Sequence, residues 1–179
     1  MAKLVAVFIV LGLFILPVAA QDTPKAEVFG GYQYLRVNVS DSGVSQGFNF
    51  NGWNASLTGN FNKWFGVAAD FSGAYKTISG VSVKAHTYTF GPVISLNREG
   101  TVNPFVHALF GGVRLSANLE GVGSGGTNGF AMLMGGGVDA KVNKNLAIRV
   151  LQADWVYYHV EGTSQSKNVR LSTGIVLRF

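Results

Sequence analysis

Residues Asn168 to Phe179 read NVRLSTGIVLRF. Val169, Leu171, Thr173, Ile175, Leu177 and Phe179 fall on one face of an extended chain. Asn168, Arg170, Ser172, Gly174, Val176 and Arg178 fall on the other. A period of two belongs to a strand and not to a helix. One face is bulky and apolar and the other is small, polar or charged. Left unpaired in water, such a strand is an adhesive edge. In a closed barrel within a membrane it has a neighbour on each side and lipid against its apolar face. Few other environments suit it.

The rest of the chain repeats the pattern. Alternation predicts eight strands: Glu27–Asn38, Gly52–Phe61, Trp64–Tyr75, Ala85–Leu96, Pro104–Arg114, Gly129–Ala140, Leu146–Tyr158 and Asn168–Phe179. In the second strand Trp53, Ala55, Leu57, Gly59 and Phe61 share a face opposite Asn54, Ser56, Thr58 and Asn60. Connections alternate between short polar turns, such as Asn62-Lys63, and longer stretches rich in Gly, Ser, Asn and Thr at 39–51, 76–84, 116–128 and 159–167. Short turns at one end and longer loops at the other is the pattern of an outer-membrane barrel. The expected fold is therefore all-β, an eight-stranded antiparallel up-and-down transmembrane barrel. Its bulky apolar face would meet lipid and its small polar face would fill a lumen about one side-chain layer wide. A soluble, lipocalin-like barrel with the faces inverted and a ligand inside remains the alternative. Tyr32, Tyr34, Trp53, Phe61, Trp64, Phe65, Tyr75, Trp155, Tyr157 and Tyr158 near strand ends suit aromatic girdles.

Residues 1–20 have the layout of a signal peptide: Lys3, an apolar run from Leu4 to Leu16, then Pro17-Val18-Ala19-Ala20. A retained anchor is the alternative, although the run is short for a helical span of about 20 residues. The expected domains are a 1–20 signal peptide and a 21–179 barrel, exported to the bacterial outer membrane. Without Lys3 there remain 13 basic residues against 9 acidic ones, a net charge of +4, with no basic stretch interleaved with stacking aromatics. Nucleic acid is not an expected partner. Cysteine is absent, so no disulfide framework holds the fold.

The charges on inward faces are expected to pair in a structural network of Asp70, Asp139, Arg149, Asp154 and Arg170. On the seventh strand the parity conflicts: strict alternation sends either Arg149 or the Gln152/Asp154 pair into lipid. An Arg at the bilayer midplane costs roughly 2–4 kcal/mol. A bulge near Val150-Leu151 would turn all three inward. Arg36 is expected at the outer rim and Arg178 inside. His86, His107 and His159 are read as rim or lumen residues. His159, with Ser164 and Ser166 nearby, lacks a visible orienting group for Ser–His chemistry. No spacing suggests a metal or cofactor. Gly121–Gly126 has no strand-then-helix context for phosphate binding and is read as a flexible outer loop.

With its leader, the opening EVFGGYQYLR at 27–36, repeated alternating hairpins and terminal Arg178-Phe179, the mature chain resembles the small OmpA-type and OmpX-type outer-membrane barrels. The resemblance implies that Ile175, Leu177 and Phe179 form the signal read by the barrel-assembly machinery. It implies outer-membrane lipids and lipopolysaccharide as surroundings, and a monomer. The soluble peptidoglycan-binding domain of the OmpA type is expected to be missing. The expected function is non-enzymatic: envelope structure or surface interaction through the outer loops. A narrow porin-like pore and a lipid-modifying enzyme are the alternatives.

Overall fold

The computed structural model describes residues 23–41, 44–78, 81–119 and 123–179. The expected signal peptide lies outside them. Eight strands follow in order: β1 Ala26–Asp41, β2 Val44–Asn60, β3 Phe65–Ile78, β4 Val81–Ser95, β5 Val102–Leu119, β6 Gly123–Lys141, β7 Leu146–Val160 and β8 Thr163–Arg178. Each pairs antiparallel with its sequence neighbours, and β8 returns to β1 to close the barrel. Closure leaves no edge strand, as a lipid environment requires.

The alternation read from the sequence sets the two faces. On β8, Asn168, Arg170, Ser172, Val176 and Arg178 are buried, while Val169, Leu171, Ile175, Leu177 and Phe179 are exposed. Phe90, Val106 and Ile175 are each more than half exposed on the outside of the barrel, whereas Gln152 and Thr89 are fully buried inside it. A soluble barrel would reverse this arrangement. The exposed belt of Phe, Val, Leu and Ile is stable only against hydrocarbon. The inverted, lipocalin-like reading is thereby overturned.

The two rims differ. At one, the turn rim, residues 61–64, 96–101 and 142–145 connect strands. Asparagine shapes these turns: Asn62 Oδ1 accepts from the backbone N–H groups of Trp64 and Phe65, and Asn143 Oδ1 from that of Asn145. At the other, the hairpin rim, the expected long loops are replaced by strand. β5 and β6 run to 18 and 19 residues, where about 9–11 suffice to cross a bilayer. Residues 123–126, expected as flexible loop, belong to β6, and their backbones pair with 116–119. The hairpin expected to be loop across 159–167 closes in two residues, Glu161-Gly162, both at positive φ (48° and 77°). Two such residues form the primed turn whose twist matches the flanking strands. Composition concealed these extensions because backbone pairing beyond the membrane does not require an apolar face.

On β7 the ladder shifts register. Val138 pairs with Leu151 but Asp139 with Arg149, leaving Val150 unmatched. Val150 and Leu151 both face outward at 57% and 50% exposure, and Arg149, Gln152 and Asp154 all turn inward. The bulge lies where the parity conflict placed it. One aromatic departs from its expected place: Tyr158 is buried in the lumen, 7% exposed, because β7 directs it inward beside Val156 and Val160.

Candidate functional site

The lumen holds one continuous polar chain. It begins at Asn54 on β2, whose Nδ2 donates to Asp70 Oδ2 at 2.9 Å. Asp70 Oδ1 accepts from Arg170 Nη1 at 2.8 Å, and Arg170 Nε donates to Asp154 Oδ2 at 2.8 Å. Asp154 also accepts from Gln152 Nε2 at 2.8 Å and contacts His107 Nε2 at 2.7 Å. Gln152 Oε1 takes a bond from Arg149 Nη1 at 2.7 Å. Arg149 then grips Asp139 with Nε and Nη2, at 2.8 and 3.1 Å. The chain spans β2, β3, β8, β7 and β6, with His107 joining from β5. The structure brings together all five residues expected in the network: Asp70, Asp139, Arg149, Asp154 and Arg170.

Local packing explains the placement. The Arg149 guanidinium lies between the rings of Phe29 and Phe105, 4.4 and 4.3 Å from their centroids. Such stacking suits a planar, weakly hydrated cation. Gly137 leaves room for the Phe105 ring, whose edge would meet a Cβ there at 2.9 Å. Gly135 does the same for the Asp154 carboxylate. The Phe29–Arg149–Phe105 stack leaves no mark on the sequence pattern, since the three residues lie on different strands. By sequence pattern His107 is only a rim or lumen histidine. Its contact with Asp154 depends on register across β5, β6 and β7.

Nearer the turn rim, Glu27 Oε1 lies 3.1 Å from Arg178 Nε. The angle is not that of a hydrogen bond, and neither atom has another partner. Arg98 folds under this end from the β4–β5 turn, 2% exposed, donating to Ser95 Oγ and the Asn62 carbonyl. Toward the hairpin rim the lumen changes character. Leu35, Phe50, Val113, Leu133, Val156 and Tyr158 form its buried contents, with Val37, Phe48, Val83, Leu115 and Val160 packed against them. The polar part keeps an internal cavity of only about 20 Å³, lined by Asp139, Arg149, Gln152 and their neighbours. That is room for about one water.

The histidines outside the network face outward. His86 Nε2 lies 3.3 Å from the Tyr75 hydroxyl, which accepts from Trp53 Nε1 at 3.1 Å. His159 Nδ1 lies 2.9 Å from Ser164 Oγ, which also meets the Tyr157 hydroxyl at 2.8 Å. Among the described residues nothing orients the other nitrogen of His159, and Ser166 contributes a backbone carbonyl to Trp155 instead. Arg36 is exposed at the hairpin rim, its Nε directed to Asn38 Oδ1. Ile175, Leu177 and Phe179 face lipid. Among the described residues no group of three His, Cys, Asp or Glu could hold a metal.

The profile of the outer membrane protein beta-barrel domain matches residues 6–179. No curated protein matches the sequence. Several solved structures share the fold. Neisserial surface protein A is 21% identical with a TM-score of 0.63, covering 87% of this chain and 97% of its own. Ail, the attachment invasion locus protein of Yersinia pestis, is 19% identical with a TM-score of 0.58, covering 87% and 99%. OprG of Pseudomonas aeruginosa is 10% identical with a TM-score of 0.55, covering 89% and 99%.

Proposed function

The chain belongs to the outer membrane protein beta-barrel family and is a protein of the bacterial outer membrane, and on that premise we propose that it is a non-enzymatic scaffold acting at the cell surface through its extended hairpins. The observation that carries this reading is the filled lumen. Ion pairs occupy its turn side, apolar side chains its hairpin side, and the polar part leaves space for about one water. Solute passage would require breaking buried pairs and wetting an apolar constriction. The strands meanwhile extend well past the bilayer, presenting rigid hairpins where surface contacts are made. Ail, by its name, takes part in attachment and invasion. That is compatible with the same use of the fold here.

A lipid-modifying enzyme has one observation in its favour, the Ser164–His159 contact. A nucleophile–base pair ordinarily has a third group holding the base, and His159 has none among the described residues. The test is twofold. Reconstituted in a planar bilayer, the protein should give no discrete conductance steps; reproducible single-channel openings would replace the scaffold reading with a pore. Lipids recovered from cells expressing the wild type and Ser164→Ala should be identical. Acyl-chain transfer or loss that disappears in Ser164→Ala would establish an enzyme.

A further inference from the structure

Above the apolar plug the barrel wall is uneven. β7 and β8 end at the Glu161-Gly162 turn, whereas β5 and β6 continue. β6 pairs with β7 only from Phe130, opposite His159. Among the described residues its segment 123–129 has β5 alone as a strand partner. The short hairpin therefore leaves a notch beside the tall one.

The inward residues of the tall wall become small toward this notch. Ala85, Leu115 and Thr127 stand in one row across β4, β5 and β6, and Val83, Ala117 and Gly125 in the next row out. Gly125 carries no side chain, and a Cβ placed on it would meet nothing within 4 Å. The result is a cup of about 370 Å³, lined by Val83, Leu115, Ala117, Gly125, Thr127 and Glu161 among others. Sites for small organic ligands run from about 300 to 1,000 Å³. Val83 and Leu115 pack against the buried plug, so the cup ends there.

Among the described lining residues Glu161 alone is charged. It comes from the turn that ends β7, and Thr127 Oγ1 donates to its Oε1 at 2.8 Å, holding the carboxylate against the β6 wall. Among the described residues Glu161 forms no ion pair. The neighbouring cations are turned elsewhere. Lys76 stands opposite Val83, with Nζ 5.3 Å from the centroid of the Phe48 ring. Arg114 is exposed on the outer face of β5, its guanidinium beside Gly126. A carboxylate bordering an apolar hollow is complemented by a cation with an apolar body. Burial removes the body from water, and the cationic head makes a charge-assisted bond. We propose that the cup binds a small organic cation of this class, with its ammonium group on Glu161 and its aryl or alkyl body on Val83 and Leu115. This goes beyond the scaffold role and holds whether or not the hairpins meet a partner.

The folded protein in lipid nanodiscs is titrated with phenylbutylamine at neutral pH and followed by its amide NMR shifts. Saturable shifts should centre on Gly125, Thr127 and Glu161. Glu161→Gln should weaken binding about tenfold, the loss of one charge-assisted bond. Gly125→Phe should abolish binding by filling the cup. Gly125 has no positive φ, so the strand accepts the ring. A boiling-dependent gel shift confirms that each variant is folded. Should Gly125→Phe not insert, Glu161→Gln carries the same readout. Phenylbutanol, with the same body and no charge, should bind about tenfold more weakly than the amine. Unchanged binding in Glu161→Gln would overturn the proposal, as would an equal or stronger response to phenylbutanol or to phenylbutyrate. So would unsaturable shifts along the lipid-facing belt, which mark partition into the bilayer. Shifts at these amides that follow protein concentration and not ligand would give the cup to a second copy of the chain.

Discussion

The two halves of the lumen solve the same packing problem in opposite ways. On the turn side, three aspartates, two arginines, Gln152 and His107 form one bonded chain. On the hairpin side, Leu, Val, Phe and Tyr fill the same cross-section without an ion pair among the described residues. Both halves are enclosed by the same eight strands, and the charged one keeps room for about one water. The difference lies in what each tolerates. An apolar half is forgiving, because loss of a side chain leaves a cavity. A charged half is specific, because loss of one partner leaves an unpaired charge where water cannot reach. On the proposed scaffold reading, the apolar half closes the barrel to ions: a lumen of ion pairs alone can rearrange into a wet path, whereas a plug of Leu, Val and Phe gives ions no ligands.

The largest effect should come from breaking the charged half. Arg170→Ala strands both Asp70 and Asp154 and should destabilise the barrel by about 3–5 kcal/mol, read from urea unfolding in detergent or lipid vesicles. A loss under 1 kcal/mol would mean water already reaches these carboxylates. Next is the apolar half. Leu133→Ala should remove about 2–5 kcal/mol by the same measurement and leave the barrel closed to ions, since the network persists beneath it. A new conductance in Leu133→Ala would place the seal in the apolar half alone.

A third substitution sharpens the contrast. Exchanging Asp139 and Arg149 together for Leu and Met extends the apolar solution downward, between Phe29 and Phe105. Replacing a whole buried pair with apolar residues is often neutral or stabilising, by about 1–4 kcal/mol, whereas Arg149→Ala alone should be strongly destabilising. If single and double variants lose the same stability, the pair is held by packing and not by charge. The smallest effect belongs outside the membrane. Hydrogen bonds from Thr23 and Lys63 hold the Glu99 carboxyl below its usual range. A depressed carboxylate adds stability above the ordinary carboxylate range and loses it as pH falls through the lowered value. Glu99 is partly exposed at the turn rim, so the slope should be slight and screened by salt. Glu99→Gln should remove it. An unchanged acid limb in that variant would assign the slope to the lumen carboxylates.

Much of this was legible in the residues. The alternation on β8 and β2 fixed which side chains share a face, because a strand has a period of two whatever surrounds it. The conflict of Arg149 with Gln152 and Asp154 located the bulge, because the bilayer makes a lipid-facing charge expensive. Other features were not legible. The hairpin extensions were hidden because polar strands outside the membrane look like loops, and Glu161-Gly162 lacks the usual Asn-Gly turn signal. Tyr158 looked like a girdle residue because its neighbours Tyr157 and Trp155 are.

Local periodicity and the energy of burying charge are enough to set the fold class, the two faces of each strand and which charges must hide from lipid. Who pairs with whom is a matter of tertiary structure. Asn54 meets Asp70, Arg170 bridges Asp70 to Asp154, and Phe29 and Phe105 sandwich Arg149. It also decided that apolar residues close the hairpin side. Those contacts join strands far apart in the chain. Partners across a lumen are set by the register of every ladder between them, and no single strand encodes that register.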